Sequence, residues 1–433
     1  MATTLFNGVM ALALLLLAWG FAQFMLWYRW GLTELEAARR RETESCGHYR
    51  VAVLIPCLNE EAVIGETVAA LRDELDRGAE VIVIDDGSDD RTGELATAAG
   101  ARVIRRELPA AREGKGAALN AGYRALLNGS FGASTAPDHT ILCVMDADGR
   151  LSPNAVPAVL SRFENPRVGG VQLPVRIRNR RRFLGRMQDL EFWGISAIAQ
   201  MSRIRTRSVS LGGNGQFTRL SALRSVGRDP WSDSLTEDLD LGVELTLRGW
   251  ELDCAAAAWV SQQGVETVRA LLRQRTRWYQ GHMTCARKAM RLWRSPEVAP
   301  RTALETTLYL LTPTFVMLPW SIAFTLGLAH FAYSLVVHGV LPFDAVGVNP
   351  AFYGGFWYVL TFLPPVVLSV LYAWRSEEER VLPAIVKGHV QVFYAYFNMA
   401  AVWRALVRMA LRRTSWVKTR RVVEAAAPGA AGR

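Results

Sequence analysis

The sequence predicts an α/β fold: a Rossmann-like domain with a mostly parallel sheet, flanked by transmembrane helices. Between residues 45 and 298, short apolar runs alternate with stretches whose apolar residues recur at helical spacing, as in parallel sheets covered by helices. Half of the 433 residues are hydrophobic, and this excess is concentrated before residue 30 and after residue 299. The chain therefore divides into a membrane helix (1–30), a central cytosolic domain (45–298), membrane and interfacial helices (299–412) and a basic, partly disordered tail (413–433).

The first segment, residues 5–28, is uncharged for long enough to cross a bilayer and ends in two interfacial aromatic residues, Trp27 and Tyr28. No basic region precedes it and no small-residue cleavage site follows it before Arg29, which disfavours a signal peptide. Arginines at 29 and 39–41 place the following domain on the cytoplasmic side. We expect a multi-pass protein of the inner or plasma membrane with a cytoplasmic catalytic domain.

The central domain begins with strands and helices in strict alternation. Strands are predicted at 51–56, 81–84, 101–104 and 141–145, and helices at 60–76, 92–99 and 115–127. Because the carboxyl ends of parallel strands meet at one edge, where ligands bind in open α/β sheets, the polar residues after three of these strands become site candidates. These residues are Asn59 and Glu60, Asp85 and Asp86, and Asp146 and Asp148.

The fourth strand ends in two carboxylates, Asp146 and Asp148, followed by Gly149. Carboxylates at the end of a buried strand are energetically unfavourable unless a cation or hydrogen-bond donors interact with them. Mg²⁺ takes one or two carboxylates and completes its shell with water and substrate phosphates. This spacing indicates a metal–diphosphate site. When such a motif of two aspartates occurs alone, the alternative is an Asx-rich turn.

The second half of the domain is less regular. We expect a strand at 168–173, an amphipathic helix near 187–203 and a helix at 268–294. The glycine-dense turn at 211–217 lets backbone approach a ligand closely. Thr236 is the predicted N-cap of a further helix, with Glu237 and Asp238 in its first turn.

After residue 300 the chain returns to membrane character. Residues 308–341 predict either one long tilted helix or a pair broken at Pro313 and Pro319, and 352–374 is a second span. Residues 381–411 are apolar but charged in places, so they lie in the interface or re-enter the membrane. A cytoplasmic tail requires an even number of spans here, either two or four.

The net charge of +10 raises the question of a nucleic-acid partner, which we reject. The arginines cluster near the hydrophobic ends and in one central stretch, so a basic face toward anionic lipid accounts for them. The five cysteines form no CxxC pair, which fits a reducing cytosol.

Six short blocks occur in a fixed order along the central domain. They are PCLNEE (56–61), DDGS (85–88), GKGAALNAG (114–122), DAD (146–148), TED (236–238) and QRTRW (274–278). In this order they resemble the family-two inverting glycosyltransferases of the GT-A fold. More narrowly, they are similar to the membrane-integrated branch that contains cellulose, hyaluronan and poly-N-acetylglucosamine synthases. The resemblance covers residues 50–290 by motif and the flanking helices by layout.

This resemblance implies a nucleotide-sugar donor, a UDP-sugar, and a divalent cofactor, Mg²⁺ or Mn²⁺. The donor residues it implies are Glu60, Asp85 and Asp86 at the uridine, Lys115 near the diphosphate, Asp146 beside the nucleotide and the metal, and Asp148 on the metal. It further implies Asp238 as the general base that takes the acceptor's proton, next to Glu237. Gln274, Arg277 and Trp278 would form the acceptor mouth, with Arg277 facing the leaving diphosphate.

Near the C-terminus, Trp416, Thr419 and Arg420 resemble the segments that form a gating loop over the nucleotide in the synthase branch. A basic juxtamembrane tail is the alternative. The acceptor we expect is a growing β-linked polysaccharide, and the alternative is a lipid such as diacylglycerol or a polyprenyl phosphate. A non-catalytic nucleotide-binding membrane protein is a remote alternative, and the motifs name no export partner.

Overall fold

The computed structural model describes residues 2–40, 49–75, 79–128, 136–333, 336–337, 350–376 and 380–413. The strands are β1 Arg50–Cys57, β2 Glu80–Asp85, β3 Arg102–Arg105, β4 Thr140–Val144, β5 Arg150–Leu151, β6 Val168–Gln172, β7 Val175–Ile177, β8 Gln216–Arg219, β9 Glu251–Cys254 and β10 Val260–Gln262. The helices before residue 250 are α1 Ala2–Arg40, α2 Ile64–Glu74, α3 Thr92–Ala98, α4 Lys115–Asn128, α5 Ala155–Leu160, α6 Phe183–Asp189, α7 Ala197–Arg203, α8 Leu220–Val226 and α9 Glu237–Leu247. The later helices are α10 Val268–Cys285, α11 Ala289–Arg294, α12 Pro300–Thr312, α13 Leu318–Tyr333, α14 Pro350–Ser376 and α15 Val381–Ala410.

A seven-stranded sheet in the order β3-β2-β1-β4-β8-β6-β9 forms the centre of the fold. The four strands predicted in the first half are parallel neighbours, and β8 enters antiparallel between β4 and β6. The predicted mostly parallel α/β sheet is thereby confirmed, and each predicted strand begins and ends within two residues of its observed bounds.

The core lies on both faces of this sheet because the side chains of its central strand alternate. On β1, Ala52 and Leu54 enter the core on one face, while Val53 and Ile55 enter the core on the other. All four side chains are fully buried. A strand buried on both faces reads as a continuous apolar run rather than an alternating one, which is how 51–56 appears in the sequence.

A second sheet, in the order β5-β10-β7, lies just past the end of β4. It pairs β10 antiparallel with β5 and parallel with β7. No pattern in the sequence indicated these strands, because they are only two or three residues long. Their consequence is local: they bring the chain after β10 against the carboxylates that follow β4.

Two predictions about helices need correction. The helix expected near 187–203 begins earlier, at Phe183, and includes a wide π turn at Leu190–Ser196. Thr236 holds the N-cap position of α9, but its side chain makes no capping hydrogen bond. Helix α10 packs directly on Thr236, since a Cβ added at Gly281 would lie 2.5 Å from the threonine Oγ1. That contact turns the hydroxyl toward Cys285, 3.8 Å away.

The terminal segments are helical, with longer elements than the sequence indicated. Helix α1 continues ten residues beyond the predicted end at 30, reaching Arg40. The chain from 300 to 333 stays helical through Pro313, where a π turn, Pro313–Met317, absorbs the missing amide donor. Helix α15 runs for 30 residues, and its interfacial or re-entrant placement stays a prediction.

Among the side chains that the structure describes, one helical stretch, Pro300–Leu326, has the length and apolar composition needed to cross a membrane. The expected multi-pass arrangement therefore stays a prediction. The gating-loop residues Trp416, Thr419 and Arg420 lie outside the described residues, as does nearly all of the predicted tail.

Candidate active site

A cavity of about 510 Å³ opens at the carboxyl edge of the large sheet. Its walls come from the loops after β1, β2 and β4, the glycine-rich turn at 211–214, the start of α9, and α10. The predicted site residues that line it are Glu60, Asp86, Lys115, Asp146, Glu237, Asp238, Gln274, Arg277 and Trp278. The structure thus brings all six sequence blocks to one cavity, and each block contributes at least one lining residue.

Lys115, the first residue of α4, joins three of these elements. Its Nζ is 2.7 Å from Asp146 Oδ1, donates to the Gly213 carbonyl at 2.8 Å, and lies 3.8 Å from Glu237 Oε1. Burial alone would lower the pKa of Lys115, but the carboxylates of Asp146, Glu237 and Asp238 outweigh burial and raise it. The side chain therefore stays an ammonium ion.

Position 213 requires glycine for this arrangement. A Cβ built there would lie 2.5 Å from Lys115 Nζ and 3.2 Å from Asp238 Oδ2. Those distances leave no room for a side chain between the cation and the carboxylate. The close backbone approach expected of the glycine-dense turn is thus realised toward Lys115 and Asp238.

Asp148 lies one step deeper than Asp146 and is fully buried. Its Oδ2 accepts the Gln263 backbone N–H at 2.7 Å, and its carbonyl accepts from Arg178 Nη2 at 2.8 Å. Gln263 follows β10, so the small sheet sets the orientation of this carboxylate. The Asp146 carboxylate pairs with the Lys115 ammonium ion, and the Asp148 carboxylate is held by the Gln263 N–H. Two carboxylates at this edge of the sheet fit a hard divalent cation that also binds substrate phosphates.

The two carboxylates after β2 occupy different positions. Asp85 is fully buried beneath the cavity, where it accepts from the Ser88 N–H at 2.9 Å and from Arg105 Nη1 at 2.8 Å. Asp86 lines the cavity, and its carboxylate pairs with Arg106. The Arg105 pair holds the turn after β2 in place, so Asp86 is the one of the two that a ligand in the cavity meets.

Glu237 and Asp238 open α9, and their adjacent carboxylates face Lys115 across the cavity. Burial, reinforced by the charge of Asp238, raises the pKa of Glu237 to about 7. Burial also raises the pKa of Asp238, although the Lys115 ammonium, the Leu239 N–H and the Arg277 guanidinium act to lower it. Asp238 Oδ1 accepts the Leu239 N–H at 2.7 Å. A base with a raised pKa next to a cation suits proton abstraction near neutral pH.

Residues 48–281, more than half of the chain, match the family described as "Glycosyltransferase like family 2". The chain belongs to glycosyltransferase family 2. This agrees with the resemblance in the sequence, and the protein is a sugar-transferring enzyme.

Three comparisons describe what this glycosyltransferase is similar to. The beta-monoglucosyldiacylglycerol synthase of Synechocystis sp. is 28% identical over 442 residues, covering 96% of this chain and 87% of that protein. The poly-beta-1,6-N-acetyl-D-glucosamine synthase of Staphylococcus epidermidis is 30% identical over 244 residues, covering 53% of this chain and 54% of that protein. A solved mannosyltransferase of Pyrobaculum calidifontis, in complex with GDP-Man and Mn²⁺, gives a TM-score of 0.55 at 16% identity over 94% of this chain and 99% of that chain. The structural likeness shows that the glycosyltransferase has the GT-A type of fold.

The glycosyltransferase cavity also contains residues that the motifs did not indicate. Arg275, Tyr279 and His282 line it at spacings i, i+4 and i+7, on the same face of α10 as the predicted Trp278. Arg275 is 3% exposed and donates to Glu191 Oε2 at 2.6 Å. The helical spacing of these residues in the sequence could have indicated that this face of α10 lines the site.

His282 and Tyr309, which both line the cavity, form a second pair that the motifs did not indicate. The His282 Nε2 lies 2.9 Å from the Tyr309 carbonyl, and the ring centroids are 4.6 Å apart. Burial lowers the pKa of His282 to about 4, so this imidazole is neutral at pH 7.

The glycosyltransferase's pH dependence should report the Glu237–Asp238 pair. The resemblance implies that Asp238 is the base. In that role Asp238 must be ionised, so kcat/KM should fall as pH drops through a pKa above that of an ordinary carboxyl group. Glu237→Gln removes a neighbouring negative charge, which lowers the pKa of Asp238 and should move the acid limb to lower pH. Rate–pH profiles of the two proteins check this, with Asp233→Asn, an exposed change in the same segment, as control. An acid limb of Glu237→Gln at the same pH as that of the unaltered protein would contradict the electrostatic coupling between Glu237 and Asp238.

Proposed function

We propose that this protein is a membrane-bound inverting glycosyltransferase that moves a hexose from a UDP-sugar to the hydroxyl group of a lipid acceptor such as diacylglycerol. The sequence motifs alone favoured a polysaccharide acceptor, and the lining of the cavity supports putting the lipid acceptor first. The catalytic domain is placed at the cytoplasmic face of the cell membrane in this proposal, with Mg²⁺ or Mn²⁺ as cofactor.

The lining of the cavity carries the proposal. It includes Tyr309, Thr312, Pro313 and Met317, all within the stretch Pro300–Leu326. That stretch is long and apolar enough to span a bilayer by length and composition. A lipid hydroxyl that enters along this helix reaches the same cavity as Asp238. The relative that aligns along almost the whole chain, a beta-monoglucosyldiacylglycerol synthase, supports a glycerolipid acceptor.

The charged end of the cavity suits the donor. Glu60 and Asp86 would contact the nucleoside, and Lys115 and Arg277 would meet the diphosphate. A metal held by Asp146 and Asp148 would stabilise the negative charge that grows on the leaving diphosphate. Arg277 adds a guanidinium for the same charge.

In the reaction we propose, Asp238 takes the proton of the lipid hydroxyl as that oxygen attacks the anomeric carbon. The bond from this carbon to the diphosphate breaks on the opposite face of the sugar, so an α-linked donor gives a β-linked product. Lys115 holds Asp146 and Gly213 in place and keeps a positive charge beside the base. Donor and acceptor bound in the cavity that Asp238 lines would exclude water, the competing acceptor, from the base.

To test this function, purified full-length protein in lipid vesicles is incubated with Mn²⁺, diacylglycerol and one radiolabelled donor. The donors, used separately, are UDP-glucose, UDP-galactose and UDP-N-acetylglucosamine. Label in a single-sugar, solvent-extractable lipid is the expected result. The Asp238→Asn protein serves as the inactive control. Absence of labelled lipid with all three donors would reject the lipid-acceptor proposal.

Elongation of a polysaccharide is the second candidate, because one feature of the cavity favours it. Trp278 lies edge-on to Phe192 with ring centroids 5.9 Å apart, and both side chains line the cavity. Such aromatic faces can support a sugar ring, and the poly-beta-1,6-N-acetyl-D-glucosamine synthase aligns with the catalytic half. In the same experiment, label in a long, aqueous, glycosidase-sensitive polymer would favour this candidate.

Removal of divalent cations should weaken donor binding. We expect EDTA to abolish transfer and Mn²⁺ or Mg²⁺ to restore it. Without a cation between them, the two carboxylates repel the negatively charged diphosphate of the donor. Asp148→Asn should lower the affinity for UDP in the presence of Mn²⁺ while leaving metal-free affinity unchanged. Calorimetric titration of UDP with and without Mn²⁺ makes the comparison, and equal metal-dependent affinity in the variant would remove Asp148 from the metal site.

The C-terminal tail leaves the described chain next to the cavity helix, which supports the gating-loop hypothesis. Gln280, on α10, donates to the Arg413 carbonyl at 2.7 Å and accepts from Arg408 Nε at 2.9 Å. Residue 413 is thus tied to the helix that carries Gln274 and Trp278. We propose that Trp416, Thr419 and Arg420 reach the nucleotide from this anchor, and that their removal raises KM for the donor.

A further inference from the structure

A second cavity, of about 440 Å³, lies outside the active site and is lined mainly by arginines. Its charged lining consists of Arg162, Arg205, Arg207 and Arg301 against Glu34 and Asp253. Four guanidinium groups face two carboxylates, so the cavity has an excess of positive charge. Its volume falls within the range of small-ligand sites. None of the residues of the proposed transfer reaction lines it.

The guanidinium of Arg162 is the best evidence that this cavity takes a ligand. Its side chain is 9% exposed, yet among the described residues it donates no hydrogen bond, and its nearest carboxylate oxygen, Asp253 Oδ2, is 3.6 Å away. A guanidinium carries five donors, and those of Arg162 are left for a ligand in the cavity that the side chain lines. An anion in the cavity would accept them.

Two of the other arginines, Arg205 and Arg207, are held in place by neighbouring side chains. Arg205 donates to Thr33 Oγ1 at 2.7 Å and pairs with Glu34 Oε1 at 3.2 Å, both near the end of α1. Arg207 lies 3.5 Å from Glu251 Oε2. These contacts fix the positions of the guanidinium groups and leave further donors on each for a ligand.

The cavity lies where the two apolar terminal segments join the catalytic domain. Glu34 belongs to α1, whose first 30 residues form the predicted N-terminal span, and Arg301 is the second residue of α12, which begins the stretch Pro300–Leu326. If these helices enter the bilayer, their cytoplasmic ends place the arginines at the depth of lipid headgroups. The anion most abundant there is a phosphate diester.

We propose that this arginine cavity binds a phosphate group, presented by the headgroup of an anionic phospholipid. Guanidinium groups match phosphate oxygens in paired hydrogen bonds, which a cluster of four supplies in excess. A soluble phosphate ester offers the same chemistry, and the test distinguishes the two sources. The site is separate from the transfer reaction, so it anchors and orients the enzyme rather than supplying its substrate.

The test measures thermal unfolding of the full-length protein in neutral detergent micelles during titration with phosphatidylglycerol, phosphatidylcholine or glycerol 3-phosphate. A ligand that binds the folded state raises the unfolding midpoint. We expect phosphatidylglycerol to raise it and phosphatidylcholine not to. In Arg205→Gln/Arg301→Gln, both exposed positions, binding should weaken about tenfold for each guanidinium removed.

The matched control is Arg102→Gln/Arg182→Gln, which removes the same charge from exposed positions outside the cavity. It should respond to phosphatidylglycerol as the unaltered protein does. A rise with glycerol 3-phosphate would support the site and make a soluble ester sufficient. Equal shifts in both double variants, or no shift with either phosphate, would overturn the proposal. Because unfolding is measured rather than transfer, this outcome is independent of the proposed reaction.

Discussion

Asp238→Asn is expected to abolish sugar transfer while leaving binding of the nucleotide sugar intact. Asparagine keeps the size of the side chain and can still accept the Leu239 N–H, which the carboxylate accepts at 2.7 Å. It cannot take a proton from an attacking hydroxyl. Loss of a general base costs about 10²–10⁴-fold in rate. Initial rates with a fixed donor, together with calorimetric titration of UDP, provide the two measurements.

The controls for this prediction lie in the same segment. Asp233→Asn removes a carboxylate at an exposed position and should leave the rate unchanged. Asp240, two residues after Asp238, pairs instead with Lys288 Nζ at 2.6 Å and with Ser232 Oγ at 2.7 Å. Retained turnover in Asp238→Asn would remove this residue as the base and move attention to Glu237.

The second large effect is expected on stability. Arg275→Ala should destabilise the protein by about 3–5 kcal/mol, because it leaves the Glu191 carboxylate without its buried cation. Glu191 also accepts from Tyr394 at 3.3 Å and from Asn398 at 3.2 Å, so the pair ties α10 to α15 and to the π turn before α7. The Arg275 guanidinium further stacks over Trp278 at 4.3 Å. Thermal unfolding in detergent measures the change.

Arg273→Ala is the matched control, since this arginine lies on the same helix but is exposed. It should change stability by less than about 0.5 kcal/mol. The double variant Glu191→Gln/Arg275→Met removes both charges and should recover part of the loss, because no buried charge is left unpaired. Equal destabilisation by Arg273→Ala and Arg275→Ala would show that the ion pair does not hold these helices together.

The sequence was sufficient for the fold class and for the location of the site. Strands such as β1 and β4 are buried on both faces, and their continuous apolar runs made them visible. Since the carboxyl ends of parallel strands share one edge, the positions of Glu60, Asp86 and Asp146 followed from the order of the elements. Family membership followed from six short blocks whose order is independent of any coordinates.

Other features were decided only by the tertiary structure, because they depend on contacts between residues far apart in the chain. Asp146 and Lys115 are 31 positions apart, and Glu191 and Arg275 are 84 apart, so no local pattern pairs them. Asp85 and Asp86 differ because only Asp86 faces the cavity. Strands of two or three residues, such as β5 and β10, carry too little pattern to be seen, yet they orient Asp148. Local sequence set the elements and their polar ends, and long-range packing decided which charges meet.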